Sequence, residues 1–483
     1  MVGGQNFTFA VLDAAATNVA RQLQEQGARE GDHVALLLAN GDEFAIVVHA
    51  AARCGVAVVP LNTRLTVPEL AYQLEDSDSR FLLYDEPNRD TAQQLAHAVG
   101  TIRLICANDL TKPLVPPAAP ASGLLDLSAT HAIVYTSGTT GRPKGVRLTF
   151  GNHWWNAIGS ALNLGIGQQD RMLVCLPLYH VGGLSVLFRG VIYGATVVVH
   201  ESFDPAAVNR AIDDDGITSV SVVAVMLQRM LEERGQRPYP SSLRSVLVGG
   251  GPVPEALLRD AIALGVPVLQ TYGLTESGSQ AVTLSPEDAV RKLGSAGKPL
   301  LPVQIRVVAS DRDALPGEVG EIWLRGPSIS PGYLHEPLPA DGWVRTGDLG
   351  WLDDDGYLYV SDRRDDLIIS GGENVYPAEV EAVLLAHPAV AEAGVVGIPH
   401  AEWGAVPVAF VKLATGEAAS ETELLAMCRD RLAKYKVPIR IHFVDALPRT
   451  SSGKLMRRML RDGSAQSQTT TGPRDAAIKV VEG

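Results

Sequence analysis

Short apolar, β-branched runs recur along this chain at helix-length intervals, and that alternation restricts the fold more than any other feature. Residues 33–38 (HVALLL) read as a buried strand, 43–54 as the helix after it, and 56–60 as the next strand. The pattern returns at 171–176, 195–200, 219–223 and 245–248, with a helix-length segment between successive runs. Strands that are apolar on both faces and joined by crossovers belong to largely parallel sheets covered by helices on both sides. No short unit repeats, which argues against a solenoid. At 483 residues the chain exceeds what one hydrophobic core spans, so several units are expected.

The character changes from about residue 293. Strand-like runs at 304–308 and 321–325 are punctuated by Pro316-Gly317, Gly326-Pro327 and Pro331-Gly332, which predicts a β-rich subdomain over about 293–360. Residues 353–356 (DDDG) read as a turn between strands at 350–352 and 357–360. A charged cluster at 362–366 is where a domain boundary would fall, followed by a new α/β pattern to about residue 461. The expected fold is α/β, with an N-terminal domain over 1–364 built of parallel-sheet subdomains plus the β-rich one. A small α+β domain over 365–462 and a Ser/Thr/Gln-rich tail over 463–483, expected to be disordered, complete it.

Composition removes several function classes. Lys plus Arg is 41 and Asp plus Glu 54, a net charge of −13, which argues against a surface for duplex nucleic acid or an anionic membrane. A local pocket for one small anion stays open. Cys54, Cys106, Cys175 and Cys428 lie far apart with no C-x-x-C pair, so a disulfide framework or zinc knuckle is not expected and a reducing cytoplasm fits. The N-terminus has no basic segment ahead of an apolar core, and the most apolar stretches are broken by His49, Arg53 and Arg189. A soluble cytoplasmic protein without membrane insertion is the expectation.

Residues 135–145 (YTSGTTGRPKG) follow a predicted strand. The small residues Thr136, Ser137, Gly138, Thr139 and Thr140 leave backbone N–H groups free to wrap a polyphosphate, and Lys144 adds a positive charge. The segment is not a Walker-type loop. Pro143 separates Arg142 from Lys144, and Gly145 stands where that motif needs Ser or Thr. A flexible surface turn is the competing reading, and the run of hydroxyls and glycines ending in a lysine disfavours it.

With the rest of the chain, this loop resembles the adenylate-forming superfamily of acyl-CoA synthetases, luciferases and peptide-synthetase adenylation domains. The tags recur in order: Gly249-Gly250-Gly251-Pro252 like the family's adenine-binding turn, 272–276 (YGLTE), Thr346-Gly347-Asp348, the junction at 362–366, the loop 370–377 (SGGENVYP), and 448–454 (PRTSSGK) like the C-terminal catalytic loop. The resemblance implies ATP, Mg²⁺ and CoA as co-substrates and cofactor. It places Gly250, Gly251, Pro252, Tyr272 and Gly273 around adenine, with Tyr272 stacking on the base or, alternatively, an ordinary core tyrosine. Thr275 would meet the α-phosphate, and Glu276 would be an oxygen ligand for Mg²⁺ carried by ATP. Asp348 would accept two ribose hydroxyls, Arg363 would contact ribose or phosphate, and Asp365 would be the hinge of a mobile C-terminal domain.

Lys454 is the implied catalytic cation. When a carboxylate attacks the α-phosphorus and pyrophosphate leaves, negative charge crowds the centre, and a point charge touching both reactants stabilises it. In the second half-reaction a thiol attacks the acyl-adenylate. Gly371 and Gly372 would let a pantetheine arm lie against backbone, and Trp403 reads either as a neighbour of the CoA nucleotide or as a packing tryptophan. In the family the C-terminal domain alternates between an orientation presenting the lysine and one presenting the glycine loop.

For the acid, residues 176–194, 283–300, 361–377 and 432–438 resemble the 2-succinylbenzoate–CoA ligases of menaquinone biosynthesis, as does Asp362-Arg363-Arg364 where most relatives carry Gly-Arg. Such a substrate is an aromatic dicarboxylate, and its unreacting carboxylate needs donors or a cation. His180, Gly182 and Ser185 are expected to line the acyl pocket. Arg189 shares a helical face with Ser185 and is either that cation or, preferably, a structural ion-pair partner. Ser221 and Val223 are a further possible wall. Rival readings are another aryl- or medium-chain acyl-CoA synthetase, a non-catalytic acyl-adenylate-binding protein, and an enzyme loading a carrier protein. A homo-oligomer would be common for such enzymes, but no interface is legible.

Overall fold

The computed structural model describes residues 7–65, 67–111, 125–136, 143–251, 253–363, 368–370, 373–375, 377–400, 403–432, 434–450 and 453–461. The chain forms two compact units, residues 1–360 and 361–483.

In the first unit, a six-stranded sheet runs in spatial order Arg103–Cys106, Ser79–Tyr84, His33–Leu37, Ala57–Pro60, Thr130–Thr136, Lys144–Thr149. All its pairs are parallel except the last, where Thr130–Thr136 and Lys144–Thr149 form an antiparallel ladder with Thr136 opposite Lys144. An antiparallel pair suits the few residues between the two strands, since a parallel pair needs a crossover of a dozen or more. A Walker-type loop would lead into a helix, whereas Lys144 here opens a strand.

A seven-stranded sheet runs Lys298–Pro299, Val282–Thr283, Val268–Tyr272, Ser245–Val248, Ser219–Val222, Arg171–Val174, Thr196–Val199. Only its first two pairings are antiparallel, both made by Val282–Thr283. The apolar runs are explained by burial on both faces. Val34 and Leu36 join a core shared with the helices Asp42–Cys54 and Val181–Tyr193, while Ala35 and Leu37 join a second core on the opposite face. A Leu36→Ala change would remove a fully buried side chain at a cost of about 2–5 kcal/mol.

The β-rich region is an antiparallel sheet in the order Arg312–Asp313, Gln304–Ala309, Gly320–Arg325, Val344–Leu352, Leu358–Arg363. The predicted acidic turn sits between its last two strands. There the Asp353 carboxylate accepts the backbone N–H groups of Asp355 and Tyr357 and pairs with Lys292 at 2.7 Å.

The second unit is built on a long antiparallel pair, Val390–His400 with Gly404–Leu413, extended by Ile368–Ser370 and Glu373–Val375 on one side of Gly404–Leu413. Ile441–Phe443 adds to the same strand in parallel. Helices Pro377–Leu385 and Glu421–Arg431 pack on the sheet through Val380, Leu384, Leu424 and Cys428. All four cysteines are buried with free thiols. No helix among the described residues is long and apolar enough to cross a membrane.

Candidate active site

Of the predicted phosphate loop, Thr136 ends one strand and Lys144 begins the next, while Ser137, Gly138, Thr139 and Thr140 lie outside the described residues. Lys144 Nζ lies 2.8 Å from Glu336 Oε2 and 5.0 Å above the Tyr333 ring. A cleft of about 200 Å³ at this point is lined by Tyr72, Asp76, Lys144, Tyr333, His335 and Glu336, among others.

The strand Val268–Tyr272 delivers the next motif. Gly250, in the turn after the neighbouring strand, has φ of +79°, which glycine adopts without strain. Pro252 lies outside the described residues. A Cβ on Gly273 would fall 1.7 Å from the Ser279 carbonyl oxygen, so that position admits only glycine. Tyr272 is nine-tenths buried in a core that also holds Val307 and Leu324, and stands opposite Val282 in the sheet. Its hydroxyl donates to Asp348 Oδ2 at 2.9 Å, which joins two of the predicted residues directly.

Thr275 and Glu276 sit on the single 3-10 turn Thr275–Ser277, and the helix Phe150–Leu164 holds that turn. The helix is started by a capping box, in which Thr149 Oγ1 accepts the Asn152 N–H and Asn152 Oδ1 accepts the Thr149 N–H. One turn on, Asn156 Nδ2 donates to the carbonyls of Ser277 (3.0 Å) and Gln280 (2.7 Å). Glu276 Oε1 accepts the Tyr333 hydroxyl at 2.8 Å. Among the described residues no cation lies within 4.0 Å of that carboxylate, and nothing donates to Oε2. Burial and the neighbouring Glu276 charge push the Tyr333 hydroxyl well above the usual tyrosine range, so it remains a donor. Magnesium takes few protein oxygens and keeps phosphate and water oxygens. The described residues hold no group of three or more metal-ligating side chains. One carboxylate with an unclaimed oxygen is a donor set that fits a cation arriving on ATP.

His180 caps the helix Val181–Tyr193, in extended conformation and edge-on to Tyr179 at 4.7 Å. Gly182 is the second residue of that helix, and Ser185 is buried one turn in. Arg189 is only 4% exposed, and no carboxylate among the described residues pairs with it. Its Nη2 donates to Asn156 Oδ1 at 2.6 Å, while Nε has no partner. The structural ion-pair reading of Arg189 is thereby corrected, because its partner is an amide. Through Asn156 the guanidinium supports the loop that carries Glu276, and burial depresses its pKa. Ser221, with Ser160, Ser219 and Arg189, lines a small internal cavity.

In the second unit Lys454 is exposed on a tight turn. Its N–H donates to Thr450 Oγ1 at 3.1 Å and its carbonyl accepts the Thr450 N–H at 2.8 Å, while Gly453 has φ of +85°. Arg449 grips the turn, donating to the Gly453 carbonyl at 2.7 Å and to Glu392 Oε2 at 2.7 Å. Trp403 is 47% exposed, so it is not a packing tryptophan. Asp365, Gly371 and Gly372 lie outside the described residues, as does the tail from 463, and the side chain of Arg363, at the end of the strand Leu358–Arg363, is likewise outside them.

Residue-by-residue reading of the sequence missed Tyr333, Asn156 and Arg449. Pro331-Gly332 registers only as punctuation, and Asn156 sits in a helix with no motif.

The geometry joins the Tyr272 hydroxyl to the Asp348 carboxylate from a distant strand, with the Thr275–Ser277 turn and its Glu276 carboxylate following three residues after Tyr272. Residues 1–334 match the AMP-binding enzyme family and residues 379–454 match the AMP-binding enzyme C-terminal domain, and the chain belongs to that family. It is 48% identical over 464 residues to the 2-succinylbenzoate–CoA ligase of Geobacillus kaustophilus, covering 95% of this chain and 93% of that one. Among solved structures, it is similar to the o-succinylbenzoate CoA synthetase of Bacillus subtilis in complex with the acyl-adenylate intermediate, with a TM-score of 0.88 and 47% identity over 95% of this chain and 94% of that one. The same B. subtilis enzyme in complex with ATP and magnesium ion gives a TM-score of 0.86 and 46% identity, covering 95% of each chain.

Proposed function

We propose that the protein is an AMP-forming acid–thiol ligase that activates 2-succinylbenzoate with ATP and transfers it to CoA, giving 2-succinylbenzoyl-CoA for menaquinone synthesis in the cytoplasm. The observation that carries this reading is the near full-length likeness to a ligase structure holding the acyl-adenylate of that acid, together with the clustering of Tyr272, Glu276 and Asp348 in one unit.

In the first step the succinyl carboxylate oxygen attacks the α-phosphorus, the bond from that phosphorus to the β-phosphate oxygen breaks, and pyrophosphate leaves. Residues 136–140 and Lys144 cradle the phosphates, and Gly250, Gly251, Pro252 and Gly273 border the adenine. Asp348, held by Tyr272, accepts ribose hydroxyls, and Arg363 adds a cation there. Thr275 donates to the α-phosphate. Magnesium held by Glu276 and the phosphates supplies charge neutralisation when bound. Lys454 stabilises the charge crowding at phosphorus.

In the second step the CoA sulfur attacks the acyl carbon and AMP leaves, with Gly371, Gly372 and Trp403 bordering the pantetheine and nucleotide. Residues 365–462 act as a mobile domain hinged at Asp365. His180, Gly182 and Ser185 line the acyl pocket. Arg189, with which no carboxylate among the described residues pairs, lies on the same helix as Gly182 and Ser185 and favours an anionic acid.

The test is AMP release by purified protein with ATP, Mg²⁺ and CoA across 2-succinylbenzoate, benzoate, octanoate and acetate. A strong preference for the first is expected. Equal or better turnover of the others would keep the chemistry and remove the substrate. Size-exclusion chromatography with light scattering in the same preparation would read whether the enzyme is a homo-oligomer.

A further inference from the structure

The segment that follows the Gly326–Pro327 turn is a strap with two attachments. On one side Leu334 N–H donates to the Gly145 carbonyl at 2.8 Å, Arg147 N–H donates to the Gly332 carbonyl at 3.0 Å, and Ser330 Oγ donates to the Arg147 carbonyl at 2.6 Å. These zip the strap onto the strand Lys144–Thr149, whose first residue closes the phosphate loop. On the other side Ser330 N–H donates to the Glu276 carbonyl at 2.7 Å. The strap doubles back sharply: a Cβ on Gly332 would lie 2.7 Å from the Glu336 carbonyl oxygen, and its φ is +131°.

Tyr333, at the apex, faces both attachments. Its hydroxyl donates to Glu276 Oε1 at 2.8 Å, and its ring carries Lys144 Nζ at 5.0 Å. A carboxylate held by one fixed donor has its rotation set and its second oxygen presented in one direction. A mobile glutamate would lose that orientation to side-chain entropy at each binding event.

We propose that Tyr333 is a positioning residue for the nucleotide-bound divalent cation: it fixes Glu276 so that Oε2 faces the metal, and through its ring it ties that carboxylate to the lysine closing the phosphate loop. The proposal rests on the reading of Glu276 as the magnesium ligand. It makes the strap 330–336 a structural link between metal and phosphate recognition, two functions that the sequence places far apart.

The experiment is calorimetric ATP binding to the full-length protein, with Mg²⁺ and with the metal chelated, for the wild type, Tyr333→Phe, Tyr333→Leu and Glu276→Gln. Tyr333→Phe keeps the ring under Lys144 and removes only the hydroxyl. Its affinity for metal-free ATP should stay within about twofold of wild type, while the enhancement by Mg²⁺ should shrink about five- to tenfold, the size of one charge-assisted hydrogen bond. Tyr333→Leu, which also removes the ring, should in addition weaken metal-free ATP binding. The Mg²⁺ concentration giving half-maximal AMP formation should rise in Tyr333→Phe while the maximal rate recovers at high Mg²⁺, a split that general loosening of the fold does not produce. An unchanged Mg²⁺ enhancement in Tyr333→Phe, with the enhancement lost in Glu276→Gln, would overturn the positioning role alone. An unchanged enhancement in Glu276→Gln would overturn the metal reading and this proposal with it.

Discussion

The two places where chemistry is assigned are built in opposite ways. In the first unit Tyr272 and Asp348 are buried, and Glu276, Tyr333 and Asn156 are fixed by hydrogen bonds between residues far apart in sequence. In the second, Lys454 is exposed on a turn whose hydrogen bonds run within a few residues, with Arg449 and Glu392 bracing it. A binding site must be shaped before the ligand arrives, which takes many long-range constraints. On the proposed mechanism Lys454 serves one half-reaction and then gives way, which asks for a stiff turn on a separate compact unit, and little else. Lys454→Ala should therefore separate function from stability most sharply. Adenylate formation should fall about 10³-fold, thioester formation from supplied acyl-adenylate should survive, and the unfolding free energy should stay within about 0.5 kcal/mol. Equal loss in both half-reactions would end the division of labour between the units.

The first unit has a further property that the Lys454 turn lacks. His131 and His153 are buried, and His49 partly buried, around Phe150 and Phe188, with His131 stacked on Phe150 at 4.3 Å and His153 against Phe188 at 4.2 Å. Among the described residues neither ring nitrogen of His153 has a partner. Burial pushes His49 down to about 4 and His131 to about 3, and His153 well below its ordinary value. The folded state holds these rings neutral while the unfolded chain protonates them near pH 6.5. Stability is therefore full above that pH and falls below it, until the folded-state values are reached. Between pH 7.5 and 5.5, His49 and His131 alone should cost about 3 kcal/mol, with His153 adding in the same direction. Urea midpoints at the two pH values check this, and His153→Phe should make the loss smaller. A pH-independent midpoint over that range would show that the rings are hydrated.

Asp348 sharpens the comparison at the level of one side chain. Asp348→Asn keeps an acceptor for the Tyr272 hydroxyl but removes the charge, so the KM for ATP should rise about 10- to 100-fold with little change in stability. Asp348→Ala should also lose about 1–3 kcal/mol, because it removes the charge-assisted hydrogen bond to the buried Tyr272 hydroxyl. If both variants lose stability equally, the charge itself holds the strand pair together.

What could be read in the chain follows the same divide. The parallel strands were legible because burial on both faces makes their runs apolar, as in His33–Leu37. The Lys454 turn was legible because Thr450, Gly453 and Lys454 are neighbours in sequence. The antiparallel edge of the first sheet was not anticipated, since a ladder partner leaves no mark on an apolar run. Nor were the links from Tyr333 to Glu276 and from Asn156 to Ser277 and Gln280. In sequence Arg189 offers a substrate cation or a structural ion pair, and only the three-dimensional neighbourhood shows an amide partner instead. Local motifs announce the ligand, while the residues that hold those motifs still are dispersed.

Arg449 is the place where the turn in the second unit borrows a longer-range constraint, and the smallest effect is expected there. Its guanidinium joins the Gly453 carbonyl to Glu392, which also pairs with Lys412 at 2.9 Å. In Arg449→Met, Glu392 keeps Lys412, and both partners of the lost pair are partly exposed, so the stability cost should stay below about 1 kcal/mol. The turn keeps its Thr450 hydrogen bonds but loses the brace on Gly453, and a small displacement of Lys454 should lower the adenylation rate about five- to tenfold. The KM values for ATP and acid should not move, because nothing in the first unit changes. A rise in the KM for ATP would mean that Arg449 itself reaches the nucleotide. An unchanged rate would mean that Thr450 and Gly453 suffice to set the lysine, making the contrast between the two sites complete.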